Sequence, residues 1–199
     1  MSNQYFENNY KLASSPIEIT HCYLSHTLRL TTDLGVFSKK AVDEGTRVLL
    51  KNIPTNYSEK CILDVGCGYG TIGLSVAINN KNAQITMIDV NQRAIQLAKL
   101  NAKNNDITNV TIFESDRYEN IKNLFDVIIT NPPIRAGRDV VFDILEGAYT
   151  HLNTEGILYF VMRKNHGLDT TIKKLRERYS NVLIIAKELG YCVVKATKK

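Results

Sequence analysis

The chain has 199 residues, 44% of them hydrophobic, with 25 basic and 20 acidic residues and a formal net charge of +5, enough for one domain with a substantial core and too little for two. No apolar run approaches the ~18 to 20 residues that cross a bilayer, and the opening MSNQYFENNY lacks the basic-then-apolar pattern of a secretion signal. A cytoplasmic protein with no membrane partner is expected, whose mild basic excess permits a polyanionic partner without requiring one.

In chain order, IEITHCYLSHTLRLTTD (17–33) alternates as an accessory hairpin would, and SKKAVDEGTRVLL (38–50) follows as a helix with Ser38 at its N-cap position. Seven apolar runs then read as strands: 61–65, 84–89, 110–113, 126–130, 156–162, 182–187 and 191–195. Between them, NQRAIQLAKLNAKNN (91–105) puts Ala94, Leu97, Ala98 and Ala102 on one helical stripe, with Asn91 at its N-cap; Asp139 holds the same place in a later helix. Alternating strands and helices require a mostly parallel sheet with helices on both faces. Only ELG separates the last two strands, too short for a crossover, so they must form an antiparallel hairpin at one edge. The expected fold is therefore α/β, with a hairpin-and-helix extension (1–55) packed on a single compact unit (56–199). Cys22, Cys61, Cys67 and Cys192 show no C-x-x-C spacing, and His151 and His166 have no Cys or Asp at ligand spacing. Reduced thiols and no metal are expected.

The first core strand runs into ILDVGCGYGTIG (62–73), where glycines interrupt an apolar strand before a helix begins. Gly66 and Gly68 let the backbone turn sharply and approach a ligand, and Gly70 lets the helix pack on the strand. Residues 68–73 also satisfy the dinucleotide pattern G-x-G-x-x-G, but the register disagrees. If Gly66 closes the strand, the third glycine of that pattern falls at Thr71. The next strand ends at Asp89, placed to accept ribose hydroxyl protons or, alternatively, to cap the following helix. Asp116 reaches the same sheet edge, as a partner for an adenine amino group or as a plain loop residue. Asp64 would face a cofactor's amino group.

The fourth core strand, FDVIITNPPIRAG (125–137), ends in a polar amide and two prolines. A residue before proline is driven into extended geometry, and each proline removes an N–H donor. What remains is a wall of acceptors, in which the Asn131 side-chain oxygen and the Pro132 carbonyl can hold both protons of a planar exocyclic amine. Held against a sulfonium methyl, such an amine reacts through orientation and electrostatics.

As a set, DVGCGYG, IDVN and NPPI resemble the class I S-adenosylmethionine-dependent methyltransferases of the N-P-P type, and DLGVFSKKAVDEGTRVLL with ELGYCVVKA is similar to the catalytic half of RsmC-like ribosomal RNA guanine-N2 methyltransferases. The resemblance implies a Rossmann-like seven-stranded sheet with one reversed strand and S-adenosylmethionine as cofactor. The candidate cofactor residues are Asp64, Gly66, Cys67, Gly68, Gly70, Asp89, Asp116 and Asn131, and the candidate catalytic residues are Asn131, Pro132, Pro133 and Ile134. Phe37 is implicated near the target base. Ile134 stands where related enzymes commonly carry an aromatic residue that stacks on that base.

Basic residues fall on three loops expected to share one rim: Lys39 and Lys40, Arg135 and Arg138, Arg163 and Lys164. Such a rim positions RNA through phosphates and allows a guanine to flip into the pocket. The run KKLRER (173–178) falls on a helix away from it. The reading is an S-adenosylmethionine-dependent N-methyltransferase acting on ribosomal RNA or a ribosomal subunit, as a monomer or weak homodimer. Its alternatives are a protein-glutamine methyltransferase, a nicotinamide-dependent oxidoreductase and a non-catalytic RNA-binding module.

Overall fold

The computed structural model describes residues 13–199; the expectations for the opening residues and the first part of the 1–55 extension lie outside the described residues. Two strands, β1 (Ile17–Tyr23) and β2 (His26–Thr32), form an antiparallel hairpin ahead of helix α1 (Glu44–Asn52). Then follow β3 (Cys61–Val65), α2 (Thr71–Asn79), β4 (Gln84–Asp89), α3 (Gln92–Asn104), β5 (Val110–Glu114) and β6 (Phe125–Thr130). The chain closes with α4 (Arg138–His151), β7 (Leu152–Arg163), α5 (Leu168–Leu175), β8 (Asn181–Glu188) and β9 (Tyr191–Thr197).

The large sheet has the order β5-β4-β3-β6-β7-β9-β8. All neighbours from β5 to β7 pair in parallel, and β9 runs antiparallel to both β7 and β8. The expected terminal hairpin therefore forms at one edge, with its second strand inserted between β7 and β8. Its turn uses Leu189 and Gly190, both at positive φ. The order reverses between β4 and β6, on either side of β3, which opens a crevice at the carboxyl ends of those strands.

Two apolar clusters lie on the two faces of the sheet. In β3, Ile62 joins the cluster with α1, α2 and α3, while Leu63 and Val65 join that of α4 and α5. Period-two alternation then turns Asp64 toward α2. In β6, Val127 and Ile129 share the α1 side and Ile128 the other. The same alternation carries Asn131 toward α1, which decides how the site is built.

Helix α2 is buried along all of Thr71 to Ala77, so its outer side needs a cover. The β1–β2 hairpin supplies it, with Leu28 and Leu30 fully buried in the shared cluster. The hairpin is held by Asn101 of α3 and by Asn105, which caps the end of that helix. Asn101 exchanges hydrogen bonds with both the N–H (2.7 Å) and the C=O (3.0 Å) of Thr31, and Asn105 does the same with Arg29 at 3.0 and 2.8 Å. Four residues apart on one helix face, the two amides meet alternate residues of β2 as a neighbouring strand would.

Two expected helix starts move. Asp43, not Ser38, caps α1, its Oδ2 accepting from Thr46 N at 3.0 Å. Ser38 instead adopts a left-handed conformation and closes a local turn on the Ala41 carbonyl. Helix α4 is capped by Gly137, with Asp139 inside its first turn. Asn91 caps α3, accepting from Arg93 N and Ala94 N.

Candidate active site

A cavity of about 470 Å³ opens at the crevice. The glycine turn forms one wall, with Gly66 and Gly68 at φ of 72° and 56°. Gly70, at φ 104°, lies behind the wall, where an added Cβ would meet Leu74 at 2.8 Å and Met87 at 3.2 Å. Most amides of this turn are already committed: Gly66 N and Cys67 N both donate to Ile88 O at 2.9 Å, and Gly70 N to Cys67 O at 2.9 Å. Gly68 N donates to Asp89 Oδ2 at 2.8 Å. A pyrophosphate needs such amides as donors, and these four are not free to serve one.

The electrostatics point the same way. Asp43, Asp89 and Asp116 line the cavity, and Asp64 lies just beneath it. Among the described residues Arg117 is the one cation in the lining, and it is bound to Asp116 (2.9 Å) and Asp143 (2.6 Å). Burial pushes the Asp89 carboxyl above its usual range, against the pull of its backbone donors. Burial, and after it the neighbouring Asp89 and Asp64 charges, push the Cys67 thiol up strongly. A site in which acids resist ionisation gains from a positively charged ligand and loses from a phosphate.

Asp89 is placed to grip more than the loop. Its Oδ1 accepts from Asn91 N at 2.8 Å as its Oδ2 accepts from Gly68 N. It thus ties the glycine turn to the start of α3 and, with Val90 N as a third backbone donor, still keeps a lone pair for a ligand hydroxyl. Asp64 departs from its expected place. It does not line the cavity; it is 1% exposed, its Oδ2 accepts from Gly73 N at 2.8 Å, and its Oδ1 has no hydrogen-bond partner among the described residues. Burial first, then the charge of Asp89, raise its pKa to about 7.

Asn131, Pro132 and Pro133 line the wall facing the glycine turn. The Asn131 Nδ2 donates to Asp43 Oδ2 at 3.0 Å and to Thr46 Oγ1 at 2.9 Å. A carboxylate can only accept, so the amide's NH2 end must face α1, and its oxygen is left on the other side. Below it, Thr130 Oγ1 donates to Val65 O at 2.8 Å, clamping the ends of β6 and β3 together.

Residues 27–195 match the Methyltransferase small domain family. The chain belongs to this family. Methyltransferases of this kind use S-adenosylmethionine, a cation whose sulfonium and ammonium charges suit an acidic cavity. The chain is 42% identical over the full length of both proteins to YbxB of Bacillus subtilis, described as uncharacterized. It is 37% identical over 131 residues to the ribosomal RNA small subunit methyltransferase C of Haemophilus influenzae, spanning 39% of that protein's length. Its fold matches T. thermophilus RsmC, a 16S rRNA methyltransferase solved with AdoMet and guanosine, with a TM-score of 0.85 at 23% identity, over 94% of this chain and 52% of that one.

The other expected site residues of this methyltransferase divide. Phe37, Cys67 and Asp116 line the cavity. Ile134 does not: the 3-10 turn Ile134–Ala136 directs it onto the α4 cluster, and Ala136 lines the cavity instead. Lys39 is half-buried, while Lys40, Arg135, Arg138 and Lys164 are exposed. Arg163 is bound within the fold, its guanidinium 4.2 Å over the Tyr191 ring and 3.6 Å from Glu44, which takes it out of a free phosphate-binding rim. His151, at the end of α4, stacks on Tyr118. Among the described residues no group of His, Cys, Asp and Glu could hold a metal ion. Asp43 and Thr46 were missed in the sequence; the available signal was an aspartate three residues before a threonine at a helix start.

Proposed function

We propose that this S-adenosylmethionine-dependent methyltransferase acts on an exocyclic amine, and that the amine is guanine N2 of ribosomal RNA. The observation that carries the reading is the anchoring of the Asn131 NH2 by Asp43 and Thr46, because it leaves an acceptor oxygen facing the cavity beside a Pro-Pro turn without N–H groups. An acceptor pair of that kind holds an NH2 by its two protons and leaves the nitrogen lone pair uncontested. The cofactor supplies a methyl group bonded to positively charged sulfur. Asp89 is available for the ribose hydroxyls, Asp116 for the adenine amine, and the apolar side chains of Val36, Val90 and Ile144 exclude water from the remainder. The ribosomal RNA methyltransferase activities of the Haemophilus and T. thermophilus relatives support RNA as substrate, as do the exposed Lys40, Arg135 and Arg138.

The test is transfer of a labelled methyl group to undermodified small ribosomal subunits, followed by nucleoside analysis. N2-methylguanosine is expected. Label on a release-factor glutamine instead would establish the protein-amide reading, and S-adenosylhomocysteine binding with no transfer to any acceptor would establish a non-catalytic module. Asn131→Ala is expected to slow transfer by about 10²- to 10³-fold, with S-adenosylhomocysteine affinity changed only a few-fold.

A further inference from the structure

Residues 36–43 separate two concavities of opposite charge. On one side Phe37, Ser38 and Asp43 line the acidic cofactor cavity, and on the other Lys40 and Val42 line a more open depression of about 730 Å³. Among the described residues no acidic residue lines this second depression. Its charged groups are Lys40, Arg47 and Lys51, accompanied by Thr20 and His21 of β1. Lys51 is held by Glu188 at 2.9 Å, whereas Lys40 and Arg47 are exposed and make no ion pair among the described residues. His21 is 7% exposed, and its buried Nε2 has no hydrogen-bond partner among those residues. Burial, and then the Arg47 charge, lower its pKa.

Cations gathered without counter-charges repel one another until an anion arrives. We infer that this depression is a subsite for the phosphodiester backbone of the substrate RNA, holding nucleotides next to the one whose base enters the cofactor cavity. The inference rests on the RNA reading above and adds where the strand runs. Phosphates are repelled by the acidic cavity and attracted across the 36–43 segment, so the two concavities sort base from backbone. Arg135 and Arg138, beyond Pro133, are exposed and left to meet the strand as well. Contacts of this type position RNA without reading its sequence.

The experiment measures binding of a labelled single-stranded RNA across a salt series, and methyl transfer to subunits, for the wild type and for Lys40→Glu/Arg47→Glu. Because both side chains are exposed, the folded state is checked by S-adenosylhomocysteine affinity, which is expected not to move. The double variant is expected to bind RNA at least about tenfold more weakly at low salt, for all sequences alike, and the slope of log K against log salt is expected to shrink by roughly 1 to 1.5. Wild-type affinity and slope in the variant, with the wild type binding and methylating RNA, would overturn the subsite alone. A wild type that neither binds nor methylates RNA but methylates protein would overturn the RNA reading and the subsite with it.

Discussion

An asparagine side chain offers a donor end and an acceptor end, and what holds one end determines which is shown to a ligand. In this protein Asp43 makes that choice, with the same Oδ2 that caps α1. Asp43→Ala removes both functions: about 1 kcal/mol of stability through the lost cap, and a fall in kcat that approaches the loss in Asn131→Ala. Asp43→Asn keeps an oxygen able to accept from Thr46 N and from Asn131, and is expected to recover most of kcat. Steady-state kinetics on the two variants, beside their melting temperatures, separate orientation from stability. Asp64 gives a prediction in pH. Its pKa is raised to about 7 in the folded protein, so the native state holds a proton that the unfolded chain has released, and stability declines as pH rises between about 4 and 7, then levels off. Asp64→Asn retains an acceptor for Gly73 N and carries no charge. Denaturant midpoints at pH 5 and pH 8 should therefore differ less in the variant than in the wild type.

At the scale of elements, the hairpin β1–β2 acts as a lid on α2, and its attachment depends on side chains imitating backbone. Asn101 is fully buried and also donates to Tyr69 O at 2.9 Å, next to the glycine turn. Asn101→Ala would strand the N–H and C=O of Thr31 and the carbonyl of Tyr69, at about 1 to 3 kcal/mol for each group that stays buried and unpaired. A loss of roughly 2 to 4 kcal/mol in urea unfolding is expected, with the lost protection of β2 amides in hydrogen exchange marking the hairpin as the part released. The core strands were legible because buried parallel strands read as apolar runs bounded by turns. The start of α1 was not, because Ser38 satisfies the same local rule as Asp43 and only the folded chain shows which one the helix uses.

At the scale of the whole molecule, the sheet, the reversed strand, the glycine turn and the Asn-Pro-Pro corner could be read in the sequence, since each depends on residues close together in the chain. The anchoring of Asn131 could not, because Asp43 lies 88 residues away. Ile134 and Arg163 were misplaced for a related reason: a 3-10 turn redirects the first, and an aromatic ring 28 residues later captures the second. The net charge of +5 conceals an acidic pocket beside a basic depression, and composition alone cannot reveal such a division. The placement of β9 has a bearing on how the chain reaches its native state. Residues 191–197 pair on both sides, with β7 and with β8, so until they leave the ribosome two apolar ladders remain open. The sheet is completed from within by its last-made strand, and the nascent protein must keep both edges from foreign partners until then.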